Sequence, residues 1–398
     1  MAVTTSPDLL SEKFYADIDG MHEAFAHLRA NEPVYRDPAS GMFGITKHAD
    51  IVDVERRAKV FVSGQGYRSF WAPGEDNMIA QDDPGHAEQR SLVARRFTPK
   101  GVQSMHDFLV DTTTDIIEQM AAAGGEVEVV DAVAAQLPCR LTAKFLGWPE
   151  DRWPSMKSWS ERLMRIDSIQ RDETGQVMMG VMSAIQEFQA DLNEMVPRFR
   201  EEPGEGAVST WANAEVGGCP MKDETIMNEV GLFISGGAET TRTVIARGLR
   251  AFCDHNDQWE HVAADPDARV GPAVEEVIRW VTPLNNMFRT AVEDTVVRDT
   301  PVPAGSRLAL LYPSGNRDED VFERPNEFDV TRSPNPHVAF GFGPHVCIGQ
   351  SLARRELQIL FDQLVRRFTN LRVVTEPDIE ENMFAGAVKS FRMAFDLR

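Results

Sequence analysis

The sequence has few of the residues and runs that would place it in several large functional classes. Cysteine is scarce: Cys139, Cys219, Cys253 and Cys347 are scattered over 398 residues with no CxxC spacing. That excludes a zinc or dithiol-redox motif and a dense disulfide framework. No uninterrupted apolar run reaches about eighteen residues, so no segment reads as a membrane span. The stretch MAVTTSPDLLSEKFYADIDG has neither a basic nor an apolar signal region, and a cytoplasmic protein is expected. Positive charge is outweighed: 41 Lys and Arg against 62 Asp and Glu give a net charge of −21, which repels nucleic acid and anionic bilayers alike. Internal repeats are missing too, and EEPGEG at 201–206 is too short to separate independent domains.

What is present is an ordinary globular composition, 42% hydrophobic and 26% charged, with enough chain for a large core. A single domain over 1–398 is expected. Apolar residues recur at three and four spacing over 104–123, 155–169, 176–200 and 223–252, which predicts long helices. Strand signals sit towards the ends: two short strands within 34–46, another in RLALLY at 307–312, and a terminal hairpin within 384–397. The expected fold class is mainly α with small β-sheets.

Chemistry concentrates in four segments. FGFGPHVCIG at 340–349 puts Cys347 in a glycine-rich loop just before a helical run, where free amides and the helix dipole favour a thiolate and the glycines admit a flat ligand. AVEEVIRW carries Glu276 and Arg279 one helical turn apart, although Glu275 could equally pair with Arg279. SGGAETTR sets Gly236 and Gly237 in a helix interior at a cost of roughly 1 kcal/mol each, next to Glu239 and Thr240. Glu239 lies among apolar neighbours, where a carboxylate signals function unless it faces solvent or pairs with Arg242. DPGHAEQR starts a helix that points His86 and Arg90 the same way, towards a common anion.

Taken in order along nearly the whole chain, these segments resemble the cytochrome P-450 family of haem-thiolate monooxygenases, with Phe340, Gly343, His345, Cys347 and Gly349 on its cysteine-loop pattern. The resemblance implies haem b, Cys347 as the iron ligand, and cofactor contacts from His86, Arg90, Arg289, Phe340, His345 and Gly349. His345 stands where many members have arginine. It also implies a structural triad of Glu276, Arg279 and Arg332, and an acid-alcohol pair, Glu239 and Thr240, that guides protons to oxygen. The family's substrate-recognition segments select Phe70, Trp71, Met78, Phe233, Gly236, Leu284 and Met287, with Met164, Met178, Met179 and Met182 as an adaptable lid.

The implied reaction is hydroxylation of a lipophilic molecule, a steroid, terpenoid or branched fatty acid, by a monomer. O2 is the oxidant, and electrons come from NAD(P)H through a ferredoxin reductase and a ferredoxin. Arg95, Arg96, Lys100, Arg354 and Arg355 are the basic residues expected to steer that ferredoxin. A peroxide-driven peroxygenase and a non-catalytic haem sensor or carrier are the alternatives.

Overall fold

The computed structural model describes residues 6–398. Its axis is one long helical run in three pieces: an α-helix Asp223–Ile234, a π-helical turn Ser235–Glu239, and an α-helix Thr240–Asp254. Backbone angles stay in the right-handed helical region across both junctions, so the glycines widen the helix without breaking it. Ile226, Val230, Ile234, Ala238, Val244, Ile245, Leu249 and Phe252 are buried along its length, which is why the run is apolar on more than one face. Around it pack helices Gln136–Leu146, Trp153–Leu163, Gln176–Glu201, Pro266–Val281 and Gln350–Arg367. No helix among the described residues is long and apolar enough to cross a membrane.

Two sheets close the ends. One has five strands in the order Val34–Arg36, Phe43–Ile45, Arg307–Leu310, Met287–Ala291, Phe61–Val62. Its register sets Arg289 opposite Leu308 and fixes that arginine on a buried strand. The other pairs Phe368–Ile379 with Val388–Leu397 and Glu126–Glu128.

Two elements differ from expectation. The terminal hairpin does not fold within 384–397. Its first strand is Phe368–Ile379, and 384–387 form a buried crossing in which Ala385 bridges to Leu284. The helix expected over 155–169 ends at Leu163 and is followed by a separate 3-10 turn, Ile166–Arg171, because Asp167 there is drawn into a buried ion pair with Arg68.

Between 316 and 349 regular structure is confined to one turn, Gly343–His345, so side chains must order the stretch. Glu276 does most of this. Arg279 donates to it through Nη2 and Nε at 2.7 and 2.8 Å, Arg332 through Nε and Asn335 through Nδ2 at 3.1 Å, and the Asp329 amide at 2.9 Å. Both arginines then reach carbonyls of 316–327, Arg279 those of Asn316, Pro325 and Glu327, and Arg332 those of Glu323, Arg324 and Glu327. Glu275 is occupied elsewhere, with Arg354 and His337. Replacing Glu276 by Ala would strand two buried guanidinium groups, at a cost of about 3–5 kcal/mol. The variant is expected to give little soluble protein and a much lower Tm; a Tm equal to wild type in thermal unfolding would show the network to be dispensable.

Candidate active site

A cavity of about 270 Å³ lies between the π turn and the 340–349 loop, and it is mostly apolar. Glycines let the loop fold tightly beneath it. Gly341 and Gly343 have φ of 68° and 70°, and a Cβ on Gly343 would meet the Glu55 carbonyl oxygen at 2.4 Å. The Cys347 amide donates to the Phe340 carbonyl at 2.8 Å, and Arg90 Nη2 donates to the Val346 carbonyl at 2.7 Å. Arg354 lies over the Phe340 ring, 4.5 Å from its centroid.

The Cys347 thiol therefore faces the cavity. By accessible surface it counts as exposed, but the surface is an interior one, and protein atoms crowd it on the other sides. This reverses an expectation. Burial pushes the thiol pKa up, although the Gly349 and Gln350 amides and the charges of Arg90 and Arg354 pull it down. Desolvation outweighs the helix terminus, and a bound cation is what would hold the thiolate.

Basic side chains gather beside the loop. His86 and His345 lie ring against ring with centroids 4.1 Å apart, and Arg90 and Arg289 line the same cavity. Burial, followed by the charges of Arg289, His86 and Arg90, drives His345 down to about 2. His86 Nε2 is buried without a partner. Among the described residues, Arg289 has only the Phe288 carbonyl at 2.8 Å and Glu55 at 3.5 Å. Such a set calls for an anion. A flat, apolar group with carboxylates at one edge and a metal at its centre, as haem is, fits these residues: carboxylates against the four basic groups, metal against the thiol.

Opposite elements complete the wall. A Cβ on Gly236 would meet nothing within 4 Å, whereas one on Gly237 would press on Thr142 Oγ1 at 2.8 Å. One glycine thus opens the chamber and the other packs the helix. Thr240 lines the cavity, with its hydroxyl donating to the Gly236 carbonyl at 2.7 Å. Glu239 does not line it. Its Oε1 accepts Arg242 Nη2 at 2.5 Å, Arg242 also binds Glu161, and Glu239 Oε2 has no partner. Burial raises the Glu239 pKa even so.

Of the substrate candidates, Met78, Phe233, Gly236, Leu284 and Met287 line the cavity. Phe70 and Trp71 do not: Trp71 is 53% exposed and stacks against Arg307. Met164 lines the chamber, but Met178, Met179 and Met182 sit on the solvent face of Gln176–Glu201. The basic cluster is also reduced. Arg96 bonds the Gly206 carbonyl and Arg354 is held by Glu275, which leaves Arg95 and Lys100 exposed. Residues that sequence reasoning missed are Glu55, Arg68 and the stacked Phe97, Phe145 and Phe233 wall, of which only Phe233 was expected. Phe145 comes from a helix whose apolar pattern reads simply as core, so no local signal marks it.

A helical fold of this kind, with a cysteine thiol in the floor of an apolar chamber beside a basic edge, defines a haem-thiolate class of protein. Comparison with known proteins agrees. Residues 182–394 match the family model for cytochrome P-450. The chain is 38% identical over 376 residues, 94% of its length and 91% of the relative's, to a steroid C26-monooxygenase of Mycolicibacterium smegmatis. It is 30% identical to a linalool 8-monooxygenase of Pseudomonas putida, covering 97% of this chain and 98% of that one. Its fold superposes on a Mycobacterium marinum cytochrome P-450 in complex with pseudoionone with a TM-score of 0.91, at 31% identity and 99% coverage of both chains. The chain belongs to the cytochrome P-450 family and is a monooxygenase.

One wall of the chamber is pH-sensitive. Glu229, fully buried on the long helix, accepts the Met78 amide at 2.8 Å, and burial together with the nearby Asp76 raises its pKa to about 8. The folded state therefore holds a proton that the unfolded chain releases near 4.5, so this contribution to stability is complete below that value and is lost as pH rises through about 8. Glu229→Gln keeps the acceptor for Met78 without the charge. Its Tm relative to wild type should rise between about pH 5 and pH 8, with a free-energy gain of at most a few kcal/mol at roughly 1.4 per unit. A pH-independent difference in parallel melts would contradict this.

Proposed function

We propose that this enzyme hydroxylates a C–H bond of a lipophilic molecule of steroid, terpenoid or branched fatty-acid type in the cytoplasm. C–H, O2, two electrons and two protons become C–OH and water, with the electrons passed from NAD(P)H through a ferredoxin reductase and a ferredoxin. The observation that carries the reading is the Cys347 thiol in the wall of an apolar chamber that Gly236 and Thr240 also line. Relatives named for steroid and linalool oxidation support the substrate class.

Haem b, once bound, supplies the oxygen-activating chemistry. Cys347 ligates its iron, while Arg90, Arg289, His86 and His345 bind its carboxylates, and Phe340 and Gly349 complete the contact. Met78, Phe233, Leu284 and Met287 exclude water and hold the apolar substrate. Thr240 presents a hydroxyl that turns from the Gly236 carbonyl to a proton acceptor in the chamber. Glu239 is the proton source: its Oε2 is left free beside Thr240, and its raised pKa keeps protonation accessible. The exposed Arg95 and Lys100, on segments just after the helix that carries Arg90, offer positive charge to an acidic ferredoxin.

Turnover of an apolar substrate with a surrogate ferredoxin system and no added peroxide is the direct test, since a peroxygenase or a haem carrier would give no product. Cys347→His should keep haem yet lose the strongly red-shifted absorption of the reduced carbonyl complex, because imidazole donates less charge than thiolate. An unchanged carbonyl spectrum would remove Cys347 as the ligand. Thr240→Val preserves volume and deletes the hydroxyl. It should still consume NAD(P)H while releasing peroxide, with product per NAD(P)H falling by ~10²-fold or more; wild-type coupling would assign the proton path to other groups.

A further inference from the structure

The basic side chains of the chamber fall into two sets. Arg90, Arg289, His86 and His345 gather beside the cysteine loop. Arg68 stands apart: its side-chain contacts are Tyr67, Asp167 and the Phe384 ring, none of them in 340–349. It is only 7% exposed, yet it lines both the main cavity and an adjoining one of about 110 Å³. Nη1 donates to Asp167 Oδ2 at 2.8 Å, and Nε donates to the Tyr67 hydroxyl at 3.3 Å. Nη2 has no partner among the described residues. The guanidinium rests on Phe384, 4.6 Å from the ring centroid, which holds the plane in place.

A purely structural role, tying the loop around Arg68 to the turn Ile166–Arg171, accounts for Nη1 and leaves Nη2 unexplained. A free donor on a buried residue that lines an apolar chamber has value only when an acceptor arrives. The acceptor's charge is constrained. Asp167 already neutralises Arg68, and its other oxygen takes the Ser69 amide and hydroxyl at 2.9 and 2.6 Å. A second carboxylate would meet like charge in a poorly solvated site, whereas a neutral oxygen would not.

We infer that Arg68 is a specificity-determining residue, whose free Nη2 hydrogen-bonds a ketone, ester or hydroxyl oxygen at one end of an otherwise apolar substrate. The bond fixes that end and leaves the hydrocarbon remainder to reach the reacting centre. This rests on the chamber being the substrate site, and it narrows the substrate class to neutral oxygenated lipids.

The test uses three branched probes of similar length on the ferric holoenzyme: the ketone phytone, the hydrocarbon pristane and the carboxylate pristanic acid. Affinity is read from the low-spin to high-spin absorption shift. Phytone should bind roughly 10–100-fold more tightly than pristane, as expected for a hydrogen bond to a charged donor. Pristanic acid should show no such gain. In the paired variant Arg68→Met with Asp167→Asn, which avoids stranding a buried charge, the ketone preference should collapse to within about 3-fold. Equal affinity for phytone and pristane in the wild type overturns the inference, as does tightest binding of pristanic acid or a ketone preference that survives in the variant. The wild-type comparison decides even if the variant does not fold. Absence of a shift with all three probes would sink the lipophilic-substrate reading, and the anchor with it; equal shifts sink the anchor alone.

Discussion

The structure depends on one carboxylate that never meets water. Glu276 takes bonds from Arg279, Arg332, Asn335 and the Asp329 amide, and through them the chain from 316 to 335 acquires a fixed path without helix or strand. An irregular stretch of this length inside a compact domain loses backbone entropy for every residue it orders, and only dense internal bonding offsets that loss. Buried ion pairs often add little net stability, but they exclude alternative arrangements, because any displacement leaves a charge unpaired. Here the arrangement enforced is the approach to the cysteine loop. With the preceding chain held, the loop that sets Cys347 in the cavity wall starts from a fixed point.

The thiol illustrates a competition that sequence cannot weigh. Its position before a helix favours ionisation, and the Gly349 and Gln350 amides do act that way, yet burial prevails and the pKa rises. The site is thus poorly suited to a free thiolate and suited to one neutralised by a cation. The same holds for the basic edge, where His345 is driven far down and His86 Nε2 lacks a partner. Each group is unfavourable alone, and one flat anionic ligand with a central cation would satisfy them together.

Sequence reasoning reached the features of this arrangement that are local. The Glu276 and Arg279 pair lies within one helical turn, so spacing places it on one face, and the cysteine loop and the paired glycines stand in short segments that the family resemblance picks out. The chamber wall was less accessible, because Phe97, Leu141, Phe145 and Val244 come from segments far apart in the chain and carry no shared pattern. Direction was a second obstacle. Trp71 and three of the four lid methionines were expected inside from the family's recognition segments, but Trp71 lies on an exposed loop and Met178, Met179 and Met182 on the solvent face of a helix packed on one side, where apolar residues are commonplace. The terminal hairpin was misplaced for a related reason: FTNLRVVTEPDI has little regular alternation, and its strand character comes from pairing with 388–397.

Glu239 shows how functional and structural readings of one residue converge. The structure realises its ion pair with Arg242, and Arg242 carries on to Glu161 in Trp153–Leu163. On the far side of the same segment, Asp167 holds Arg68. The segment 153–171 is therefore gripped by two arginines, one fixing the acid next to Thr240 and the other at the chamber wall. Neither arginine belongs to the segment, so moving it away breaks two contacts at once: Glu161 loses Arg242, which keeps Glu239 on its own helix, and Asp167 parts from Arg68. The combined cost holds the segment against its neighbours. It also ties the segment to the protonation of Glu239, because Glu161 is the like charge that, after burial, raises the Glu239 pKa, and withdrawing it favours the charged form.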